Sequence, residues 1–299
     1  YTHGFGVVAA YGSRVNADGT PDFWEQSIPS VGEIGDYEER VYFSQNSPLY
    51  SIVGAPEGAP PQELDYPDDN AESGQVQTTF KGDGGPSVGN VWNKLLYAVK
   101  FGSTDIFFSS QTNPESQILY TRDPIERAKK VAPFLTFEQS AYPAVVSMDD
   151  DPDAQQSLVW IVDAYTTSSS YPYAEHQSLI EATTDSRTSA TGDVLQEDKI
   201  NYIRNSVKVI VNAYDGSVTL YEWDGDDPIL QAWKGVYPGL VKDTSEISGS
   251  LMSHLRYPQD MFKVQRSLLT TYHVTEASEF YTGGDRWRLS EDPTAGGNS

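Results

Sequence analysis

The 299-residue chain contains no cysteine. Disulfides, thiolate metal sites and a cysteine nucleophile are therefore excluded within it. No apolar run approaches the roughly 20 residues that span a bilayer. No basic segment followed by an apolar stretch opens the chain, as it would in a signal peptide. The first residue is Tyr1 and not Met, so the expectation is a piece cut from a longer protein. Basic residues are scarce: 20 Lys and Arg stand against 43 Asp and Glu, a net charge of −23. Phosphate contacts need clustered Lys and Arg, so no nucleic-acid partner is expected. An anionic membrane surface would repel the chain as a whole. The acids are spread along the sequence, which solubility alone explains.

Aromatic residues are plentiful, with 19 Tyr and 6 Trp. Disordered chains are poor in them, so this chain folds. Such rings either stitch loops to a core or offer a sugar- or peptide-binding surface.

The strongest structural signal runs from Lys199 to Trp223. Ser206 to Val211 is mostly β-branched, and Ser217 to Trp223 alternates, with Val218 and Leu220 on one face. Asp215-Gly216 between them predicts a tight hairpin, because a primed turn needs a positive φ that Gly takes freely. A fainter copy, Trp160 to Tyr165, matches Val209 to Tyr214 and points to two equivalent strands. Arg40–Phe43 and Tyr50–Val53 read as strands joined across Gln45–Pro48. The proline-, glycine- and acid-rich stretch Gly54 to Gly74 reads as a long surface loop. Val88 to Phe101 predicts a helix with Val91, Leu95, Leu96 and Val99 at helical spacing. Asp123 to Phe134 predicts another, capped by Asp123 with Pro124 at its first position. Leu179 to Ile200 reads as polar loop. Helices at Asp227–Tyr237, Ser245–Leu255, Pro258–Tyr272 and Ala277–Tyr281 make the last third helical, and Pro293 to Ser299 a frayed tail. Strands and helices in mixed order, without a βαβ rhythm, predict an α+β fold with mainly antiparallel sheet. The chain is read as one fragment, 1–299, with subdomains 1–115 and 116–292 as the finer expectation.

Catalytic signatures are sparse. There is no G-x-S-x-G elbow and no H-E-x-x-H pair. Gly82-x-Gly84-Gly85 precedes a helix but lacks the Lys-Ser/Thr ending of a phosphate loop, and Asp83 would repel phosphate. Asp149, Asp151 and Asp153 resemble the start of a calcium loop. Ala154 stands where the loop needs Gly, and Trp160 where it needs an acid. Glycoside hydrolysis needs two carboxylates about 5–10 Å apart. Asp163 is the acid of most interest, because it ends an apolar strand just before Tyr165, Tyr171 and Tyr173. The alternative reading is a strand-end acid bonded to a nearby backbone turn.

Several segments together resemble one family. They are Tyr1–Ala9 (YTHGFGVVA), Lys130–Leu135, Ile161–Ser168 with Tyr171-Pro172-Tyr173, Ile200–Lys208, Asn212–Gly216, and His254–Pro258 with Phe262–Gln265. In this order they resemble the UPF0182 proteins, large multi-pass membrane proteins of unknown function. The resemblance implies an N-terminal block of transmembrane helices, with this chain as the first part of the soluble region after it. It implies a cell-membrane protein whose soluble region faces the envelope, outside the cytoplasm. It carries no catalytic motif, cofactor or ligand to transfer.

Three readings follow. One is a non-catalytic extracytoplasmic domain serving in binding or assembly, with its own transmembrane region and an envelope protein or glycan as partners. Its ligand-binding candidates are Asp163, Tyr165, Tyr171 and Tyr173, and it needs no cofactor. The second is an envelope hydrolase acting on glycan or peptide through paired carboxylates. The third is a calcium-stabilised domain.

Overall fold

The computed structural model describes residues 2–71, 73–110, 112–151, 153–183 and 199–288. Most of the expected loop before Ile200 and the expected tail from Pro293 lie outside the described residues. Helices are α1 (Val91–Phe101), α2 (Thr104–Phe108), α3 (Pro124–Val131), α4 (Leu179–Thr183), α5 (Pro228–Val236), α6 (Gly249–His254), α7 (Gln259–Tyr272) and α8 (Ala277–Thr282). The strands of the central sheet are β1 (Tyr37–Glu38), β2 (Thr136–Phe137), β3 (Tyr142–Val146), β4 (Gln156–Ser168), β5 (Tyr202–Asn212), β6 (Val218–Glu222) and β7 (Val241–Lys242).

β4 is the axis of this seven-stranded sheet. It pairs antiparallel with β2 and β3 on one side and with β5 on the other. β5 continues antiparallel to β6, and two short parallel pairs, β1 with β4 and β6 with β7, complete the sheet. The fold is α+β with mainly antiparallel sheet.

Both faces are covered, which is why β4 and β5 read as near-continuous apolar runs. On one face Val162, Ala164, Val207, Val209, Val211 and Leu220 pack against Ile125 and Ala128 of α3 and Leu230 of α5. On the other, Val159, Ile161, Ile210 and Tyr221 pack against Leu251 of α6 and Ile247 just before it. Each buried aliphatic side chain here contributes about 1.5–3 kcal/mol.

The expected hairpin is present, but its turn is longer than a two-residue primed turn. β5 ends at Asn212 and β6 starts at Val218, closed by Asn212 N to Ser217 O at 2.9 Å and Gly216 N to Asn212 O at 3.0 Å. The extra residues are held from outside. Ala213 O accepts from the backbone of Tyr42 and Phe43 at 2.8 and 2.9 Å, and Asn212 Oδ1 accepts from Tyr214 N at 2.8 Å. Gly216 has φ 72°, and a Cβ there would come within 2.6 Å of the Phe43 ring. Nor do the two similar segments behave as equivalents. Asp163 lies in the sheet interior, whereas its counterpart Asn212 closes the turn.

α3 opens as expected: Asp123 Oδ1 accepts from Ile125 N and Glu126 N at 2.8 and 3.0 Å. It stops at Val131, short of Phe134, because Pro133 disfavours helical geometry at Ala132. Arg40–Val41 pairs with Gly4–Phe5, and Tyr50–Val53 with Gln117–Tyr120, so the two stretches do not pair with each other. The expected loop at Gly54–Gly74 contains a strand, Glu63–Pro67, paired with Gln75–Thr78. Its inward positions carry acids, which hides the alternation. Glu63 accepts from Tyr42 Oη (2.9 Å), Gly54 N (3.0 Å) and Phe80 N (2.8 Å). Asp65 meets His3 at 3.1 Å and Arg40 at 2.7 Å.

Candidate functional site

Register places Asp163 of β4 directly opposite Lys208 of β5. Their side chains close an ion pair with 3% and 1% exposure. One register step later Ala164 faces Val207 and Tyr165 faces Asn205, so Ser206 is an extra, bulged residue. A bulge re-aims the side chains around it. Asn205 turns onto the ion pair, donating Nδ2 to Asp163 Oδ1 at 3.0 Å, and Ser206 turns to Asp227 at 2.6 Å. Lys208 also donates to Arg256 O at 3.0 Å and lies 5.0 Å from the Trp223 ring centre. Burial pushes the Asp163 carboxyl above its ordinary range, against the pull of Lys208 and Asn205.

Tyr165 donates its hydroxyl to Glu138 Oε2 at 3.0 Å, and Glu138 Oε1 accepts from Gln259 N at the start of α7 at 2.9 Å. In return Asp260 Oδ2 accepts from Gln139 N at 3.3 Å. Burial, then the charges of Asp163 and Asp260, push the Glu138 carboxyl up to about 7. Three acids, each at most 8% exposed, thus gather where the residues after β2 meet the start of α7.

Above this cluster opens a groove of about 520 Å³, lined among others by Arg204, Asn205, Trp223, Arg256, Tyr257 and Gln265. Three of these reach down to the ion pair: Asn205 by its amide, Arg256 by its carbonyl, Trp223 by its ring. Arg204 pairs with Asp224 at 3.1 Å. Arg256 lies 4.5 Å from the Tyr142 ring centre and pairs with no carboxylate among the described residues. Tyr257 donates to Gln265 Oε1 at 2.7 Å. Asn205 Oδ1 is buried without a hydrogen-bond partner. A larger cavity of about 930 Å³ is lined by residues around Gly54–Pro61 and Gln77–Gly85, with acids Glu57, Asp83 and Glu115 against one Lys81.

The sequence profile of the Uncharacterised protein family (UPF0182) matches residues 1–298. The chain belongs to the UPF0182 family. It is 54% identical to a UPF0182 protein of Arthrobacter sp. (strain FB24) over 298 residues, covering 98% of this chain and 29% of that protein. A UPF0182 protein of Kocuria rhizophila is 54% identical over 297 residues, with the same two coverages. One from Bifidobacterium longum is 54% identical over 299 residues, covering 98% of this chain and 27% of that protein. The chain therefore spans less than a third of the curated relatives it matches. No solved structure matches it.

Of the residues singled out in this UPF0182 sequence, Asp163 and Tyr165 lie together in the sheet interior. Tyr171 and Tyr173 stand apart from them on the loop after β4, 55% and 109% exposed. Tyr171 stacks on Tyr202 at 5.8 Å and its N–H reaches Asn201 Oδ1 at 3.0 Å. Asp151 Oδ1 accepts from Asp153 N at 3.0 Å in a local turn. It is Asp150, outside the Asp149, Asp151, Asp153 set, that reaches Gly249 N of α6 at 2.8 Å. Among the described residues no group of three or more His, Asp or Glu is placed to hold a metal ion. Lys208, Glu138, Trp223, Arg256 and Tyr257 were not singled out from the sequence. A lysine inside the apolar run Val207–Val211 was the available signal, since a charge is seldom buried unless paired.

Proposed function

We propose that this part of the UPF0182 protein is an extracytoplasmic binding domain of a multi-pass membrane protein, and that its groove takes a polyhydroxyl ligand bearing an anionic group, as an envelope glycan does. The observation that carries the reading is the groove lining. Trp223 and Tyr257, 39% and 62% exposed, offer flat apolar area for a sugar ring. Arg256, without a carboxylate partner, offers charge-assisted bonds to an acidic substituent. The Asp163–Lys208 pair holds the wall from below, so the lining is organised before a ligand arrives. The placement outside the cytoplasm is supported by the family resemblance.

A hydrolase has less support. The only carboxylate among the groove's lining residues is Asp224, already engaged by Arg204, and paired-acid hydrolysis needs two. Glu138, Asp163 and Asp260 line no part of the groove.

Saturation-transfer NMR tests the binding reading with N-acetylglucosamine oligomers and their N-acetylmuramic-acid-containing counterparts. Transfer to the carboxylated sugars, weakened in Tyr257→Ala, is the expected result. No transfer from either series, or equal transfer to parent and variant, overturns it.

A further inference from the structure

Helix α1 carries its apolar stripe on the wrong side for a core. Tyr97, Ala98 and Phe101 are the residues that pack inward, against Val88, Ile106 and Ile118. Val91, Trp92, Leu95, Leu96 and Val99 point away from the protein, between 42% and 76% exposed. At 100° per residue they cover an arc of about 140°. The adjoining α2 adds Phe108 at 78% exposed. Scattered exposed aliphatics are ordinary, but a contiguous helical face of this kind marks a contact surface.

Charge distinguishes what covers it. In a chain of net charge −23, the eleven residues of α1 include two lysines, Lys94 and Lys100, and no acid. On the same wheel Lys100 falls about 40° beyond Leu96 and Lys94 about 60° before Val91, so a lysine borders the apolar arc on each side. An apolar helical face with tryptophan and leucine, edged by lysines, suits the headgroup boundary of a bilayer. A second copy seated on the same face would bring the two lysine rims together. The acids elsewhere on the chain are screened over a Debye length of about 8 Å, so the overall negative charge acts weakly here.

We propose that α1 and α2 lie on the surface of an anionic phospholipid bilayer, with Trp92, Leu96 and Val99 in the acyl boundary and Lys94 and Lys100 at the phosphates. This surface shares no lining residue with the groove, and it places the groove's host beside the membrane.

Flotation with vesicles tests it, using three parts phosphatidylcholine to one part phosphatidylglycerol, and phosphatidylcholine alone. The parent chain floats with the mixed vesicles and much less with phosphatidylcholine alone. The exposed-site variant Leu96→Glu/Val99→Glu loses about tenfold or more of the bound fraction, with an unchanged circular-dichroism spectrum and unchanged sugar binding at the groove. No flotation of the parent with either vesicle, or equal flotation of the variant, overturns the proposal. So does a parent that does not float but sediments as a dimer that the variant abolishes, which would assign the face to a second copy. Loss of groove binding in the parent, with flotation intact, would defeat the binding function and leave this proposal standing.

Discussion

Lys208 lies directly across the antiparallel register from Asp163, and the pair is almost wholly withdrawn from water. Removing one partner of such a pair strands a buried charge. Lys208→Met is expected to cost about 3–5 kcal/mol, while the double change Asp163→Leu/Lys208→Met recovers most of that. Urea titration of the three proteins checks it. A single-variant loss below about 1 kcal/mol, the range of exposed pairs, would contradict it.

Glu138 gives stability a pH dependence of definite sign. Its carboxyl titrates near 7 when folded, against an ordinary value of 4.5. Between those values the folded chain holds a proton that the unfolded chain has released, so this group makes stability fall as pH rises. The loss reaches at most about 3 kcal/mol by neutral pH, less whatever solvent screening removes. Glu138→Gln keeps an acceptor for Gln259 N and an amide for Tyr165. The variant should gain melting temperature over the parent at about pH 8 and little at about pH 5. A gain independent of pH would show that the carboxyl does not titrate in this window.

Asp227 is both a helix cap and a hub. It accepts from Thr166 (2.5 Å), Ser206 (2.6 Å) and Tyr202 (2.6 Å) as well as from Ile229 N and Leu230 N at the start of α5. Burial raises its carboxyl and these bonds more than reverse the effect, leaving it below the ordinary value. Asp123 caps α3 by backbone bonds alone. Asp123→Ala should cost about 1 kcal/mol, and Asp227→Ala should cost more, by about 1–3 kcal/mol for the buried hydroxyls it leaves unpaired. Thermal melts of the two variants decide the order.

Gly216→Ala separates backbone strain from collision. Gly216 and Gly58 both have positive φ, 72° and 80°, but a Cβ at Gly58 meets nothing within 4 Å. Ala at Gly58 should cost about 1 kcal/mol from strain. Ala at Gly216 should cost more, because it drives into the Phe43 ring. Equal losses in denaturant titrations would contradict the collision.

The proposed location is testable because this chain has no cysteine. Tyr173→Cys in the full-length protein places a thiol on the loop after β4, where Tyr173 is fully exposed in this chain. A membrane-impermeant maleimide should label it in intact cells, relative to a control without the new thiol. Labelling only after lysis would place this region in the cytoplasm.

What the sequence made legible was local. The β5–β6 hairpin, the Asp123 cap of α3 and the extent of α7 all follow from spacing and from turn or cap residues, which act within a few positions. What stayed hidden depends on partners far along the chain. Asp163 could be singled out as a strand acid, but not its pairing with Lys208, because the register turns on a bulge at Ser206 that no local pattern marks. Strand Glu63–Pro67 was concealed because its inward residues are acids satisfied by Tyr42, His3 and Arg40. The periodicity of α1 predicted a stripe correctly but could not say which way it faces. The groove joins β5, β6 and α7, so none of those segments announces it alone.

The most direct test of the binding account is a calorimetric titration of the parent chain, Tyr257→Ala and Arg256→Ala with an N-acetylmuramic-acid-containing oligosaccharide. The account predicts saturable binding by the parent. Tyr257→Ala should weaken it about tenfold through lost stacking area. Arg256→Ala should weaken it while narrowing the preference over the neutral sugar. Binding that both variants retain at parental strength would place the ligand elsewhere and contradict the groove.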